Sequence, residues 1–194
     1  MVKTGFLAVL LMAGFAGTAQ AQDVPTEEAT EAATEAAVAT EGIKRPEKDC
    51  KPGFGCVTNL PLPRFVSLKT GEGNARRGPG LTHRIDWVFT RAGMPLRITA
   101  EFDNWRRVED AEGAGGWVHY SLLSGVRAVL VAQDMAEFRS SPQDDAAVVM
   151  QAERGVVGKV LECDPDWCRV VLEGDKGWVR KSALWGVEPG EVIG

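Results

Sequence analysis

The chain repeats itself. Asn74-Ala75-Arg76-Arg77-Gly78-Pro79 lines up with Glu137-Phe138-Arg139-Ser140-Ser141-Pro142, and Gly93 followed by Ile98 lines up with Gly155 followed by Val160. Trp105 with Val108 matches Trp167 with Val170, and Gly116-Trp117-Val118 matches Gly177-Trp178-Val179. The offset drifts only from about 63 residues (Arg76 to Arg139) to about 61 (Trp117 to Trp178). Ordered matches at a near-constant offset mean two copies of one structural unit of roughly 60 residues. A unit that small is near the lower limit for folding alone, so the copies are expected to lean on each other or on disulfides.

Each copy reads as short strands. Pro95-Leu96-Arg97-Ile98-Thr99-Ala100 and Gly158-Lys159-Val160-Leu161-Glu162-Cys163 alternate, and turn residues such as Asp103-Asn104 and Asp164-Pro165-Asp166 punctuate at close spacing. Nothing holds a 3.6-residue period. This patterning predicts a small all-β barrel per copy.

The N-terminus sets the compartment. Lys3, an apolar run over Gly5–Gly17 and the small-x-small site Ala19-Gln20-Ala21 form a secretory signal over residues 1–21, cleaved near Ala21. Thirteen apolar residues fall short of the about 20 that a membrane-spanning helix needs, so no membrane insertion is expected after the signal is removed. The exported chain is placed in the periplasm. Residues 22–56 join a Thr-Glu-x-Ala spacer to a small Cys loop. Glu27, Glu31 and Glu35 stack like charges one helical turn apart, and there is no apolar stripe to bury, so the spacer is expected to be disordered or weakly helical. The barrels are assigned to residues 57–126 and 127–194.

Charge and composition narrow the function. The formal net charge is −5, which weighs against nucleic acid as a partner. Residues 57–126 alone are net basic, mostly through Arg64, Arg76, Arg77, Arg84, Arg91, Arg97, Arg106 and Arg107. Arginine forks pair well with carboxylates and phosphates, so this copy is the one to face an anionic partner. The chain holds only 2 His, His83 and His119, both read as surface residues. That leaves little for a catalytic triad or a His-based metal site, and neither cofactor, metal nor enzymatic activity is expected. The four Cys are spaced wrongly for structural zinc. Cys163 and Cys168 flank Asp164-Pro165-Asp166-Trp167, a tight turn that sets them opposite each other on a hairpin. Cys50 and Cys56 close a second small loop, and export to an oxidising compartment favours both bridges. At the positions aligned with Cys163 and Cys168 the first copy has Glu101 and Arg106, an opposite-charge cross-strand pair.

Strand parity suggests where a ligand sits. An inward Val108 leaves Trp105 and Arg107 on the opposite face, and an inward Val170 does the same for Trp167 and Arg169. Indole area beside guanidinium charge makes a sticky surface, so Trp105, Arg107, Trp167 and Arg169 are the candidate ligand-binding residues, with both indoles expected to be exposed. Trp117 and Trp178 read as packing residues, and Trp87, Phe89 and Trp185 as the seal between the copies. Leu60-Pro61-Leu62-Pro63-Arg64 reads as an extended lead-in over the first barrel.

Together, Asn74-Ala75-Arg76-Arg77-Gly78-Pro79-Gly80, Gly93, Trp105-x-x-Val108 and Gly116-Trp117-Val118 resemble the bacterial SH3-like domain in its usual order. The second copy keeps Arg139, Pro142, Gly155, Trp167 and Gly177-Trp178-Val179 but departs at Glu137-Phe138 and Ser140-Ser141. The likeness covers roughly residues 66–187 and resembles exported tandem SH3-like proteins of the alphaproteobacterial type. It implies two SH3-like β-barrels in tandem acting as a non-catalytic envelope module that engages cell-wall peptide or an envelope protein. The alternative is an assembly module that binds another folded protein or itself without recognising peptidoglycan. Neither the ligand nor the oligomeric state is fixed by the residues.

Overall fold

The computed structural model describes residues 50–194; the expected signal peptide and the Thr-Glu-Ala spacer lie outside the described residues. The first copy supplies seven strands: β1 (Arg64–Leu68), β2 (Gly73–Arg76), β3 (Ile85–Phe89), β4 (Pro95–Phe102), β5 (Trp105–Glu109), β6 (Gly115–His119) and β7 (Leu123–Ser124). They pair antiparallel in the order β3-β2-β6-β5-β4-β1-β7. The second copy repeats this with β8 (Ala128–Val131), β9 (Ala136–Arg139), β10 (Val148–Ala152), β11 (Val157–Cys163), β12 (Trp167–Leu172), β13 (Asp175–Arg180) and β14 (Leu184–Trp185), in the order β10-β9-β13-β12-β11-β8-β14. The helical content of the two sheets is one 3-10 turn each, Tyr120–Leu122 and Lys181–Ala183. The all-β tandem architecture expected from the repeat is what folds.

The copies agree down to their irregularities. The β4–β5 ladder shifts register between Ile98 and Ala100, and the β11–β12 ladder shifts between Val160 and Glu162. A bulge at matching places bends both hairpins alike. Alternating side chains fill each interior: Leu96, Ile98, Val108 and Val118 in the first, Val160, Cys168, Val170 and Val179 in the second.

The seam between the barrels joins β1 to the end of the second sheet. The Phe65 ring meets Trp185 edge-on at 5.1 Å, and the Arg127 guanidinium lies 5.9 Å from the Phe65 centroid. Arg127 also donates to the Glu191 carboxylate and to the Gly186 carbonyl, while Arg91 donates to the Gly155 carbonyl at 2.6 Å. Gly186 sits at φ 118°, where a Cβ would stand 2.6 Å from the Ala128 carbonyl oxygen, so both backbone conformation and space require glycine. Trp185 thus seals the seam as expected. Trp87 does not: it is 47% exposed on the edge strand β3, and Phe89 belongs to the first barrel's own core. Alternation along a strand identifies a face but not whether another element covers it.

Each barrel has one hairpin corner covered by a flanking segment. Cys50–Cys56 and Cys163–Cys168 are both disulfides, with Cα separations of 4.9 and 4.0 Å. Glu101 and Arg106 are register partners in the first barrel, as Cys163 and Cys168 are in the second. The Glu101 carboxylate is fully buried and accepts from the Val57 and Thr58 N–H groups, the Thr58 hydroxyl and the Arg64 guanidinium at 2.7–3.1 Å. Arg106 Nε lies 3.5 Å away. The Cys50–Cys56 loop and the residues after it are thereby latched onto the first barrel. At the matching corner of the second, Cys163 exchanges both backbone hydrogen bonds with Ile193 of the C-terminal tail. The lead-in segment pairs Pro61 with Phe54 and lays Leu62 against the first core before β1 begins at Arg64.

Candidate functional site

Antiparallel partners share a face, so the registers map what surrounds each candidate residue. In the first barrel Trp105 lies opposite His119, and Arg107 lies opposite Trp117, which in turn faces Arg76. In the second barrel Trp167 lies opposite Arg180, and Arg169 lies opposite Trp178, which faces Arg139. Each barrel thus presents a two-row patch of two indoles with flanking cations. Trp117 and Trp178, read from sequence as packing residues, are half-buried members of these patches.

The expected exposure of the leading indoles does not hold. Trp105 is 8% exposed and Trp167 5%. Both sit on the outer face, as parity requires, but each is covered by its cross-strand partner. His119 packs edge-on against Trp105 at 5.5 Å, and the Arg180 guanidinium stacks 4.5 Å from the Trp167 centroid. A side chain long enough to fold back over a ring hides it, and residue spacing does not disclose that fold-back.

The arginines differ just as sharply. Arg64 and Arg106 serve Glu101, Arg77 and Arg84 share Asp86, and Arg97 pairs with Glu109. Arg76 is held by the Leu81 and His83 carbonyls. Much of the basic character read from sequence is therefore consumed internally. Arg107 is the exception: exposed, it makes no side-chain hydrogen bond or ion pair among the described residues. Its counterpart Arg169 pairs with Glu162 at 3.0 Å, a partner the first barrel replaces with Ala100.

Beside Trp167 a cavity of about 290 Å3 opens, walled by Arg139, Asp144, Arg180, Ser182 and Met135 among others. Asp144, one of the lining residues, pairs with Arg180 through both carboxylate oxygens. The Arg180 hydrogen bond holds the Asp144 carboxyl below its ordinary pKa, and Asp144 in turn raises that of Arg180. Arg139 is fixed by the Ala146 carbonyl and Glu137. Sequence reasoning did not place Arg139, Asp144 or Arg180 among the ligand-binding residues, although Arg139 stood out as a match of the repeat. The repeat could have flagged Arg180, because it replaces His119 at an otherwise matched position. A second groove of about 430 Å3 lies where Phe54, Leu62 and Pro63 of the N-terminal segment meet Arg97 and Thr99 of β4. Among the described residues no group of three or more His, Cys, Asp and Glu is placed to hold a metal ion.

Comparison with known proteins gives the same picture of the fold. A Bacillus subtilis (strain 168) protein, YrvJ, which carries the name of an N-acetylmuramoyl-L-alanine amidase, is 26% identical over 123 residues, 58% of this chain and 24% of that protein. Among solved structures, NlpC2 and NlpC1 from Trichomonas vaginalis align at 15% and 14% identity, each with a TM-score of 0.31. These alignments cover 63% and 70% of this chain and 48% and 50% of theirs, a likeness too slight to carry an argument. The chain spans about a quarter of the curated relative and about half of the solved chains. The family model for the bacterial SH3 domain matches twice, over residues 69–125 and 132–186, which together exceed half the sequence. The two copies met first as a repeat are two bacterial SH3 domains, and the chain belongs to that family.

Proposed function

We propose that the protein is a non-catalytic binding module of the cell envelope, exported to the periplasm, which engages cell-wall peptide or an envelope protein through the Trp–Arg faces of its two barrels. One observation carries the reading: the same face, Trp105-Arg107-Trp117 and Trp167-Arg169-Trp178, recurs on both barrels in the same register. Side chains that serve only to pack a barrel have no need of guanidinium on the outside, whereas indole beside arginine is the composition of binding hot spots. The signal-like N-terminus and two disulfides support an oxidising compartment. The wall as setting is supported by the amidase name of the relative, although the alignment leaves most of that protein unmatched.

The test is co-sedimentation of residues 22–194 with purified peptidoglycan. Trp105 and Trp167 are poor targets because truncating a buried aromatic costs about 3–5 kcal/mol and confuses folding with binding. Arg107→Gln and Arg169→Gln leave the cores intact. Saturable pelleting that weakens at least threefold in the double variant and at moderate salt is the expected result. Protein that stays in the supernatant rejects the wall as ligand. One feature favours the assembly alternative: β3 is an edge strand that exposes Ile85, Trp87 and Val88, a template for pairing with another chain. A sedimentation coefficient that stays at the monomer's value at every concentration would count against self-association.

A further inference from the structure

The cavity beside Trp167 says more about its ligand than the repeated face does. Its lining includes two guanidinium groups, Arg139 and Arg180, together with Trp167. Arg139 is tied to a backbone carbonyl and to a carboxylate on its own strand. Arg180 stacks on Trp167 and is otherwise held by Asp144, 36 residues distant in sequence, from the loop between β9 and β10. The Asp144 side chain is 73% exposed and accepts hydrogen bonds from no other side chain among the described residues. An ion pair this wet adds little stability, so exchanging its carboxylate for another costs little. The planar guanidinium would keep its bidentate geometry with any carboxylate that replaced it. At the equivalent place in the first barrel, His119 bonds Ser121 at 2.7 Å and has no carboxylate partner among the described residues. The arrangement is a property of the second barrel alone.

We propose that this cavity is a carboxylate site, in which the free carboxylate of a short peptide terminus displaces Asp144 from an Arg180 that stays stacked on Trp167, while the adjoining apolar part of the terminus lies against Met135. Asp144 is the built-in competitor for that position. The volume, just under the about 300–1000 Å3 of ligand sites, suits a terminus of small residues rather than a longer segment. The inference rests on the reading of the Trp167 face as a ligand site, and names the chemistry that face selects.

The experiment titrates the whole chain with N-acetyl-alanyl-alanine and, separately, with its C-terminal amide. The readouts are the Trp167 indole N–H NMR signal in the unsubstituted chain, Asp144→Asn and Arg180→Gln, and the Arg180 Nε–H signal in the first two. All three forms are first checked for an unchanged urea midpoint. Saturable shifts with the acid, at least tenfold weaker binding of the amide, several-fold tighter binding of the acid to Asp144→Asn, and loss of the acid preference in Arg180→Gln are expected. Equal binding of acid and amide at Trp167 overturns the carboxylate inference and leaves the ligand face standing. Acid affinity unchanged in Asp144→Asn overturns the role of Asp144 as competitor. No response of Trp167 to either peptide at millimolar concentration, while wall pelleting persists, overturns both the inference and the assignment of the face.

Discussion

Glu101 gathers four hydrogen bonds, from Val57, Thr58 and Arg64, into the densest polar cluster of the first barrel. Burial pushes its carboxyl upward in pKa, but the hydrogen bonds from Thr58 and Arg64 and the charge of Arg106 outweigh that, and the net shift is downward. A carboxylate whose folded pKa is depressed contributes stability above its unfolded value and loses it as pH falls through the folded one. Glu101→Gln leaves Arg64 and Arg106 facing each other without a counter-charge, which should cost about 3 kcal/mol at neutral pH. Urea unfolding at pH 7 and at pH 3 checks this, because the gap from the unsubstituted chain should narrow in acid. The Glu101–Arg106 pairing itself was legible in the sequence, since the repeat set these residues opposite the Cys163–Cys168 bridge. The anchorage of Thr58 was not: 43 residues separate the two, and no local pattern encodes so distant a partner. Arg106 follows the same logic, for its inward parity matches Val108, yet only the tertiary structure shows what neutralises it.

Among the elements, the hairpins carry the repeat most faithfully. The β11–β12 turn is held by Asp164, whose carboxylate accepts from the Asp166 and Trp167 N–H groups, and by the disulfide behind it. Replacing Cys163 and Cys168 by Ala should cost about 2 kcal/mol on the loop-entropy model, read as a fall in the urea midpoint with an unchanged slope. A larger loss would mean that the tail pairing through Ile193 fails along with the bridge. Strand identity, hairpin turns and bridge partners follow from alternation and spacing, which are local properties. What lies over a strand is not local. Trp105 and Trp167 were correctly placed on the outer face and wrongly expected to be bare, because His119 and Arg180 fold over them from the neighbouring strand.

Over the whole molecule the question is whether two small barrels act as one body. Phe65, Arg127 and Trp185 bind them, and Glu191, whose pKa is lowered by Arg127 despite burial, belongs to the same cluster. Trp185→Ala should split the thermal unfolding of the tandem into two resolved steps in calorimetry, where the unsubstituted chain should show one. A single transition in the variant would assign the coupling to Arg91 and Gly186 instead. Sequence pointed to Trp185 for this role and also, wrongly, to Trp87, because an apolar side chain on an edge strand looks the same whether it is covered or not.

If both proposed faces bind, a seam held this way would turn them into a caliper with its jaws set at one opening. A polymer of repeating units can fill both jaws only when its repeat spans that opening. An oligomer of the wrong length would be held as if one jaw were missing, and the gain from a second grip would vanish without any change in either face.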